Sequence, residues 1–386
     1  MPVEPIVCRL LSKVPIHKSR RTAVAAAGLA VLLSRRLSPA ALGRAVFGRS
    51  PKHAIKRFDR LVGNEHLAAE TPLIYAAIAA EVVRVARPVI LIDWTHLRGV
   101  HHALAAGMAT GKGRPILLLA TVHHVSQLGS SKVQRAFLAE LAGILPPGVR
   151  PILVSDAGFH GDFFRDVMGL GWDFVGRIRG TAQLRVNGKV TKKAALYRRA
   201  RAQPRDFQEA GLYARRGIEC RLVLVRRPHA KRRSRPTANK ELLEYRKAAR
   251  DPWLLATSLR ATDASAEDVI QHYGHRMLIE ESFRDTKSAR FGIGLGEVRS
   301  RSPKRLAVLL MLAAVALATA FIIGHAAEAR GEHRRFQANS IKRRVLSIVR
   351  LGLEWVRSHA REIRTDIGHL KWLLAHPPDL AIRGDP

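Results

Sequence analysis

The stretch PILVSDAGFHGDFFRDVMGLGWDFVGRIR, residues 151–179, sets the fold class. Pro151-Ile-Leu-Val-Ser-Asp156 is a short apolar run that ends on a carboxylate, Asp162–Leu170 has helical periodicity, and Trp172–Arg179 returns to strand texture. An apolar strand, a helix and a second strand in that order form the unit from which mixed or parallel sheets are built. The same texture appears upstream: Pro88-Val-Ile-Leu-Ile-Asp93 is a second apolar strand closing on an aspartate. Strands over Leu97–Ala106 and Arg114–His124 and a helix over Ser130–Leu145 connect the two. The expected class is α/β, a mixed sheet flanked by helices.

On the N-terminal side the texture is helical through about residue 85. Thr22–Leu33 reads as an apolar helix. Ser38-Pro39 is a cap followed by proline, opening a short helix to Phe47, and Gly48-Arg49-Ser50 is a turn. Pro51 opens another helix that ends near Gly63. Two short helices around a glycine-containing turn form a helix-turn-helix pattern. The second helix carries Lys52, His53, Lys56, Arg57 and Arg60, while Ala54, Ile55, Phe58 and Leu61 are available for packing. Such a helix suits a DNA groove, although on a very basic protein a merely solvated face has the same look.

Downstream, residues 181–255 break the α/β pattern with short alternating segments (Gln183–Val186, Ile218–Val225) and a basic cluster, Arg226–Lys240. This reads as a β-rich insertion. A long helix is expected over Ser265–Ser288, with a capping-box start at Ser265 and Asp268 and Gly292 beyond its end. Leu306–Gly324 is a 19-residue apolar run near the ~20 residues that cross a bilayer. A helix buried on all sides has the same composition, and this is the favoured reading. From Glu332 onward a basic helical tail is expected. The domain expectation is therefore a helical DNA-binding region (1–85), a first core segment (86–180), the insertion (181–255), a second core segment with the long helix (256–330) and a basic helical C-terminal region (331–386).

The chain has 386 residues, 66 Lys and Arg against 31 Asp and Glu, and a net charge of +35. That field calls for a polyanionic partner, with nucleic acid first and anionic membrane second. Two cysteines, Cys8 and Cys220, exclude a disulfide framework and a four-thiolate zinc site. They suit a reducing cytoplasm, and the first residues lack the apolar core of a secretory signal.

Two strands closing on carboxylates suggest a site, although each aspartate alone could be a simple loop cap. On the long helix Tyr273, Arg276, Glu280 and Lys287 fall within about 60° of one another at 100° per residue, and Arg284 joins them. Glu281 points about 100° away from Glu280. A stripe of Tyr, Arg, Glu, Arg and Lys is not a core stripe; its alternative is a solvated face with Glu280–Arg284 pairing. Phosphoryl transfer on DNA needs carboxylates holding two ions about 3.5–4 Å apart, with basic groups fixing the phosphates. The adjacent pairs His101-His102 and His123-His124 are poor chelates, since strand neighbours point to opposite faces. His96 remains a candidate to line the site.

The spacing Tyr-x2-Arg-x3-Glu-x6-Lys at Tyr273, Arg276, Glu280 and Lys287 resembles the signature of the bacterial insertion-sequence-four family of DDE transposases. The segments LIDWTHLRG, LVSDAGF, GRIRG, RMLIEESFRDTKS and RRFQANSIKRRVLSIVRLGLE are similar to its transposon-Ten branch. The resemblance covers the chain from the basic N-terminal helices to about Val356. It implies an RNase H-like core interrupted by a β-rich insertion, with Asp93, Asp156 and Glu280 as catalytic metal ligands for Mg2+, or Mn2+ in its place. It implies that Tyr273, Arg276 and Lys287 hold phosphates of the element end. It also implies that Trp253 stacks on a base flipped out during hairpin formation, a buried strand tryptophan being the alternative.

The expected function is cut-and-paste transposition by a cytoplasmic, nucleoid-associated enzyme. It would act on double-stranded DNA, both terminal inverted repeats and target, as a homodimer on the DNA and without a membrane. Lys52, Lys56, Arg57, Arg60 and Arg284 are further DNA-contact candidates. The alternative is a catalytically inactive, basic DNA-binding relative.

Overall fold

The computed structural model describes residues 3–46, 50–111, 113–180, 183–213, 217–227, 251–363 and 366–377. The chain divides into two compact units, residues 1–149 with 277–386, and residues 150–276.

Among the described residues of the first unit, five helices precede the sheet: α1 (Val3–Ser12), α2 (Lys18–Ser34), α3 (Pro39–Arg44), α4 (Pro51–Val62) and α5 (Glu65–Val82). Their starts follow local chemistry. Ser38 caps α3 by accepting from the Ala41 N–H with proline at the first turn, and Asn64 caps α5 by accepting from Leu67. α3 and α4 pack closely, with the Cα of Gly43 lying against Ile55, where a larger side chain would collide. Phe47, the expected end of the first of these helices, and Gly48 and Arg49 of the expected turn lie outside the described residues.

Three antiparallel strands follow, β1 (Val89–Arg98), β2 (His101–Met108) and β3 (Ile116–His124), in the order β3-β2-β1. β1 runs past Asp93, which the sequence pattern treats as a strand end. Asp93 instead sits mid-strand opposite Ala105. The apolar run stops at Asp93 because the outer half of β1 is only partly covered, so hydrophobicity ends before the hydrogen-bond ladder does. α6 (Ser131–Ile144) closes this segment.

The apolar run lies within the 27-residue helix α11 (Pro303–Ala329), started by Ser302 with proline at the first turn. In its most apolar 18-residue window 83% of residues are buried inside the protein, which makes it the core helix that the composition favours. α1, α2, α5 and β3 pack on it, as does α12 (Ile348–Ser358). Thr319, its one polar residue in the apolar run, donates to the Val315 carbonyl at 2.8 Å, so this buried hydroxyl is satisfied. The C-terminal region becomes α-helical only at α12, and α13 (Ile367–Ala375) follows. Glu332–Phe336 is a 3-10 turn and residues 337–347 form a loop, so the expected helical tail starts later than its sequence suggests.

Among the described residues the second unit holds seven strands: β4 (Ile152–Ser155), β5 (Asp173–Arg177), β6 (Gln183–Val186), β7 (Lys189–Lys192), β8 (Arg205–Tyr213), β9 (Ile218–Val225) and β10 (Trp253–Thr257). Their order is β4-β5-β10-β9-β8-β6-β7. β4 and β5 pair in parallel across α7 (Gly161–Gly169), as the strand–helix–strand reading requires; the other pairings in this unit are antiparallel. The β-rich texture of the insertion is present in β6 to β9, with α8 (Lys193–Arg198) between β7 and β8. Most of the Arg226–Lys240 cluster lies outside the described residues. Arg221 is buried and satisfied: its guanidinium grips Asp206 at 2.7 and 2.6 Å and donates to the Ala264 carbonyl at 2.6 Å.

The long helix expected over Ser265–Ser288 is two helices, α9 (Ala266–Gly274) and α10 (Arg276–Lys287). The capping box is present, with Ser265 and Asp268 bonding reciprocally. At His275 the backbone stays near helical (φ −68°, ψ −18°), but its N–H turns to the His272 carbonyl three residues back, and α9 stops. Cys8 and Cys220 are free and buried, and burial pushes each thiol up to about 12, so neither is a nucleophile at neutral pH.

Candidate active site and DNA-binding residues

In the first unit the site is built on β1 and α10. Asp93 is 8% exposed on β1, and Thr95, two residues on, shares its face. Lys287, in the last turn of α10, donates from Nζ to Thr95 Oγ1 at 2.7 Å. Burial lowers the Lys287 ammonium from the usual lysine range, and the negative charge of Asp93 opposes that shift. Glu280 precedes Lys287 by seven residues, so the two share a helical face within about 20°. Glu280 is half-buried.

Glu281 is engaged elsewhere. Arg114, at the end of the β2–β3 connection, pairs with Glu281 through Nη1 and with Asp285 through Nε at 2.7 Å. Glu281 and Asp285 are one helical turn apart and form the back of α10. Arg284 is exposed and reaches Glu281 at 3.9 Å. Of the stripe read on the helix, Glu280, Arg284 and Lys287 share one side of α10, with Arg284 exposed and leaning toward Glu281.

His96 alternates with Asp93 and lies on the other face of β1, with Nε2 3.0 Å from the Gly99 carbonyl. Its ring meets His102 at 5.1 Å, and His102 is paired in register with His123. Sequence reasoning considered only neighbours along a strand, so it missed this row of imidazoles across three strands. Trp94 packs edge-on to His123 at 5.6 Å.

In the second unit Asp156 follows the last residue of β4 and is half-buried. Its Oδ1 accepts the Gly158 N–H at 2.8 Å, an aspartate-capped turn that fixes the carboxylate at the strand end. Tyr273 on α9 is 4% exposed, and its hydroxyl is hydrogen-bonded with Arg177 of β5. Burial raises the Tyr273 phenol, the Arg276 and Arg177 charges oppose this, and the Asp156 charge adds to it. Asp156, Arg177, Tyr273 and Arg276 are thus electrostatically coupled. The Arg177 guanidinium is itself lowered, chiefly by burial.

Trp253 opens β10 and meets Tyr273 edge-on at 4.7 Å. The Arg227 guanidinium lies 4.8 Å over the Trp253 ring, a cation–π contact. Arg227 also lines an open cavity of about 530 Å³ with Arg226, Gln271 and His275. Arg177, Arg227 and Thr95 were not singled out from sequence. Arg177 and Thr95 lie inside the segments GRIRG and LIDWTHLRG, so the signal was present but unranked.

On α4, Lys52, Lys56 and Arg60 are exposed, Arg57 is half-buried, and Ala54, Phe58 and Leu61 are buried. The helix has the two-sided character its sequence predicts.

Among the described residues no three His, Cys, Asp or Glu side chains are gathered closely enough to hold a metal ion. The donor chemistry of Asp93, Asp156 and Glu280 is nonetheless that of a hard divalent cation, which prefers carboxylate oxygen.

No curated protein matches the chain. A family model, the transposase DDE domain, matches residues 85–319, which is well over half of the chain and includes Asp93, Asp156, Glu280 and Lys287. On that match, with the mixed α/β architecture of an RNase H-like core, the chain belongs to the transposase DDE domain family.

Proposed function

We propose that this transposase is the cut-and-paste enzyme of a bacterial insertion sequence, of the insertion-sequence-four family and its transposon-Ten branch. Its substrates are the terminal inverted repeats of the element and then target DNA, met in the cytoplasm at the nucleoid, with two protomers each engaging one end. Asp93, Asp156 and Glu280 would hold Mg2+, or Mn2+ in its place. Divalent ions bound there would neutralise charge on the phosphate and activate the attacking oxygen.

The chain's own residues have distinct parts in this reading. Lys287, fixed on Thr95, offers a positive charge to a phosphate beside Asp93. Arg276 and the Tyr273–Arg177 pair supply donors near Asp156. Trp253 presents an aromatic ring to an unstacked base, and Arg227 already covers that ring. Lys52, Lys56, Arg57 and Arg60 approach the duplex from α4, and Arg284 from the exposed flank of α10. The reaction order is nicking at each element end, attack of the freed 3′-hydroxyl on the opposite strand to form a hairpin, hairpin opening, and joining of the 3′-ends to target.

The observation that carries this reading is Lys287 of α10, bonded to Thr95 and coupled to the charge of Asp93 on β1, with Glu280 on the same helical face as Lys287. The test is excision from a supercoiled plasmid bearing the inverted repeats that flank the gene, with Mg2+. The expected products are an excised fragment and hairpin-capped ends on a denaturing gel. Glu280→Gln should lose all cleavage and keep repeat binding. Cleavage that survives this substitution overturns the assignment of Glu280. Binding without any metal-dependent nicking by the wild-type chain would support an inactive DNA-binding relative instead.

A further inference from the structure

The segment 333–353, HRRFQANSIKRRVLSIVRLGL, contains six Arg and Lys and no Asp or Glu. Its cations divide into two sets. Arg344 is paired with Glu328 at 2.6 Å, and Arg350 with Glu354 at 2.5 Å. Just before the segment Arg330 is paired with Glu332 at 2.6 Å. Arg344 thereby ties the loop to the end of α11, while the other two pairs are local to their own segments. Arg334, Arg335, Lys342 and Arg343 are exposed, and among the described residues their side chains make no ion pair or hydrogen bond.

The loop that carries them is closed on itself by one side chain. Gln337 donates from Nε2 to the carbonyls of Ile341 and Arg343 and accepts the Val345 N–H on Oε1 at 3.3 Å. All three hydrogen bonds fold the chain back between the two basic pairs. At the downstream end Arg350 also donates to the Phe291 carbonyl at 2.7 Å, fixing α12 to the segment that follows α10. A chain closed in this way presents its charges without the ordering cost that a free tail incurs on binding. Ile341, 40% exposed, stands next to Lys342 at the tip. Groups of arginine and lysine with no acidic partner are the chemistry of phosphate-backbone binding.

We propose that this Gln337-closed loop is a duplex-DNA backbone site separate from α4, with Arg334, Arg335, Lys342 and Arg343 as the phosphate-binding cations. It rests on the reading that the chain acts on DNA. The binding is independent of base sequence, because contacts to phosphates carry no base information.

The test uses the full chain and a 30–40-base-pair duplex of random sequence (roughly the length of a few helical turns), titrated across salt. The slope of log affinity against log salt should flatten by about 0.9 for every phosphate that is no longer neutralised. The variant R334A/R335A/K342A/R343A should therefore flatten the slope by about 2–4. The matched control K132A/K189A/K192A/R198A removes four exposed cations elsewhere and should change it much less. Gln337→Ala keeps the charge and should weaken binding severalfold at unchanged melting temperature. An equal fall in the control and the loop variant reduces the effect to net charge and overturns the proposal. Unchanged slopes in the quadruple variant, or in R334A/R335A and K342A/R343A tested separately should the quadruple variant fold poorly, also overturn it. These results leave the transposase reading intact, whereas a wild-type chain that binds no duplex overturns both.

Discussion

The hydrogen bond from Lys287 to Thr95 joins the last turn of α10 to the strand of Asp93. It gives the ammonium a defined position near Asp93, where an exposed lysine on the same helix would have many. Removing one preorganised charge or donor from a phosphoryl-transfer site costs roughly 10²–10³ in rate. Lys287→Ala should therefore lower single-turnover strand cleavage by about that factor while repeat binding falls far less. Lys287→Arg should recover only part of the loss, because the planar guanidinium does not reproduce a point donor to Thr95. A variant that cleaves at the wild-type rate removes Lys287 from the site.

Glu280 and Glu281 are adjacent, and a motif reading has to choose between them. The ion pairs of Arg114 with Glu281 and Asp285 make the choice physical, since Glu281 is committed to the back of α10. Glu281→Gln should keep cleavage within about tenfold of wild type and lose about 1 kcal/mol of stability, the scale of a partly exposed ion-pair network. Arg114→Ala should show the same modest destabilisation. Chemical denaturation of both variants, beside the cleavage assay, checks this. A Glu281→Gln protein as dead as Glu280→Gln would reverse the assignment.

Much of this was legible from sequence for a simple reason. Strands buried on both faces, such as β4, read as continuous apolar runs, and a helix with a capping box and a charged stripe is visible at a glance. What was not legible came from tertiary context. Asp93 looked terminal because the outer half of β1 is partly solvated, although its backbone remains paired with β2. The break at His275 left only Gly274 as a trace, since a change from four-residue to three-residue hydrogen bonding alters no side-chain pattern. The loop after Phe336 carries several good helix formers, Gln337, Ala338 and Lys342 to Arg344 among them. It is kept out of a helix by Gln337 bonding to backbone groups four to eight residues on, which propensity does not weigh.

His123 gives a pH-dependent expectation. Burial lowers its imidazole below the usual histidine value, with the hydrogen bond to Gln127 opposing, so the folded state disfavours the proton that the unfolded chain takes up near pH 6.5. Between the folded and unfolded values the unfolded state binds more protons, and stability rises with pH across that window. It falls as pH drops below about 6.5 and levels off beneath the folded value. His102 is lowered in the same direction, first by burial and then by His96 and Lys287. Melting temperature from pH 7.5 to 5.5 should decline, and the decline should be shallower in His123→Gln. A profile with the same slope in both proteins would show that His123 is not a source of the acid sensitivity.

The last expectation concerns the core on which the site stands. α11 and α12 touch backbone to backbone at two glycines: a Cβ on Gly352 would overlap the Ala320 carbonyl, and one on Gly324 would overlap the Ile348 carbonyl. Neither glycine has an unusual backbone angle among the described residues, so close approach, and not a turn, explains both. In each case the obstacle is backbone, and no side chain can rotate away to make room. Overpacking a well-filled core costs about 1–3 kcal/mol and more where the backbone must shift. Gly352→Val should therefore lower the unfolding midpoint well beyond the effect of Gly143→Ala, a helical glycine with open space around its Cα. Because α11 lies at the centre of the first unit, the same variant should lose cleavage in proportion to the folded fraction and regain it on cooling. Wild-type stability in Gly352→Val would mean that the two helices do not cross at this separation.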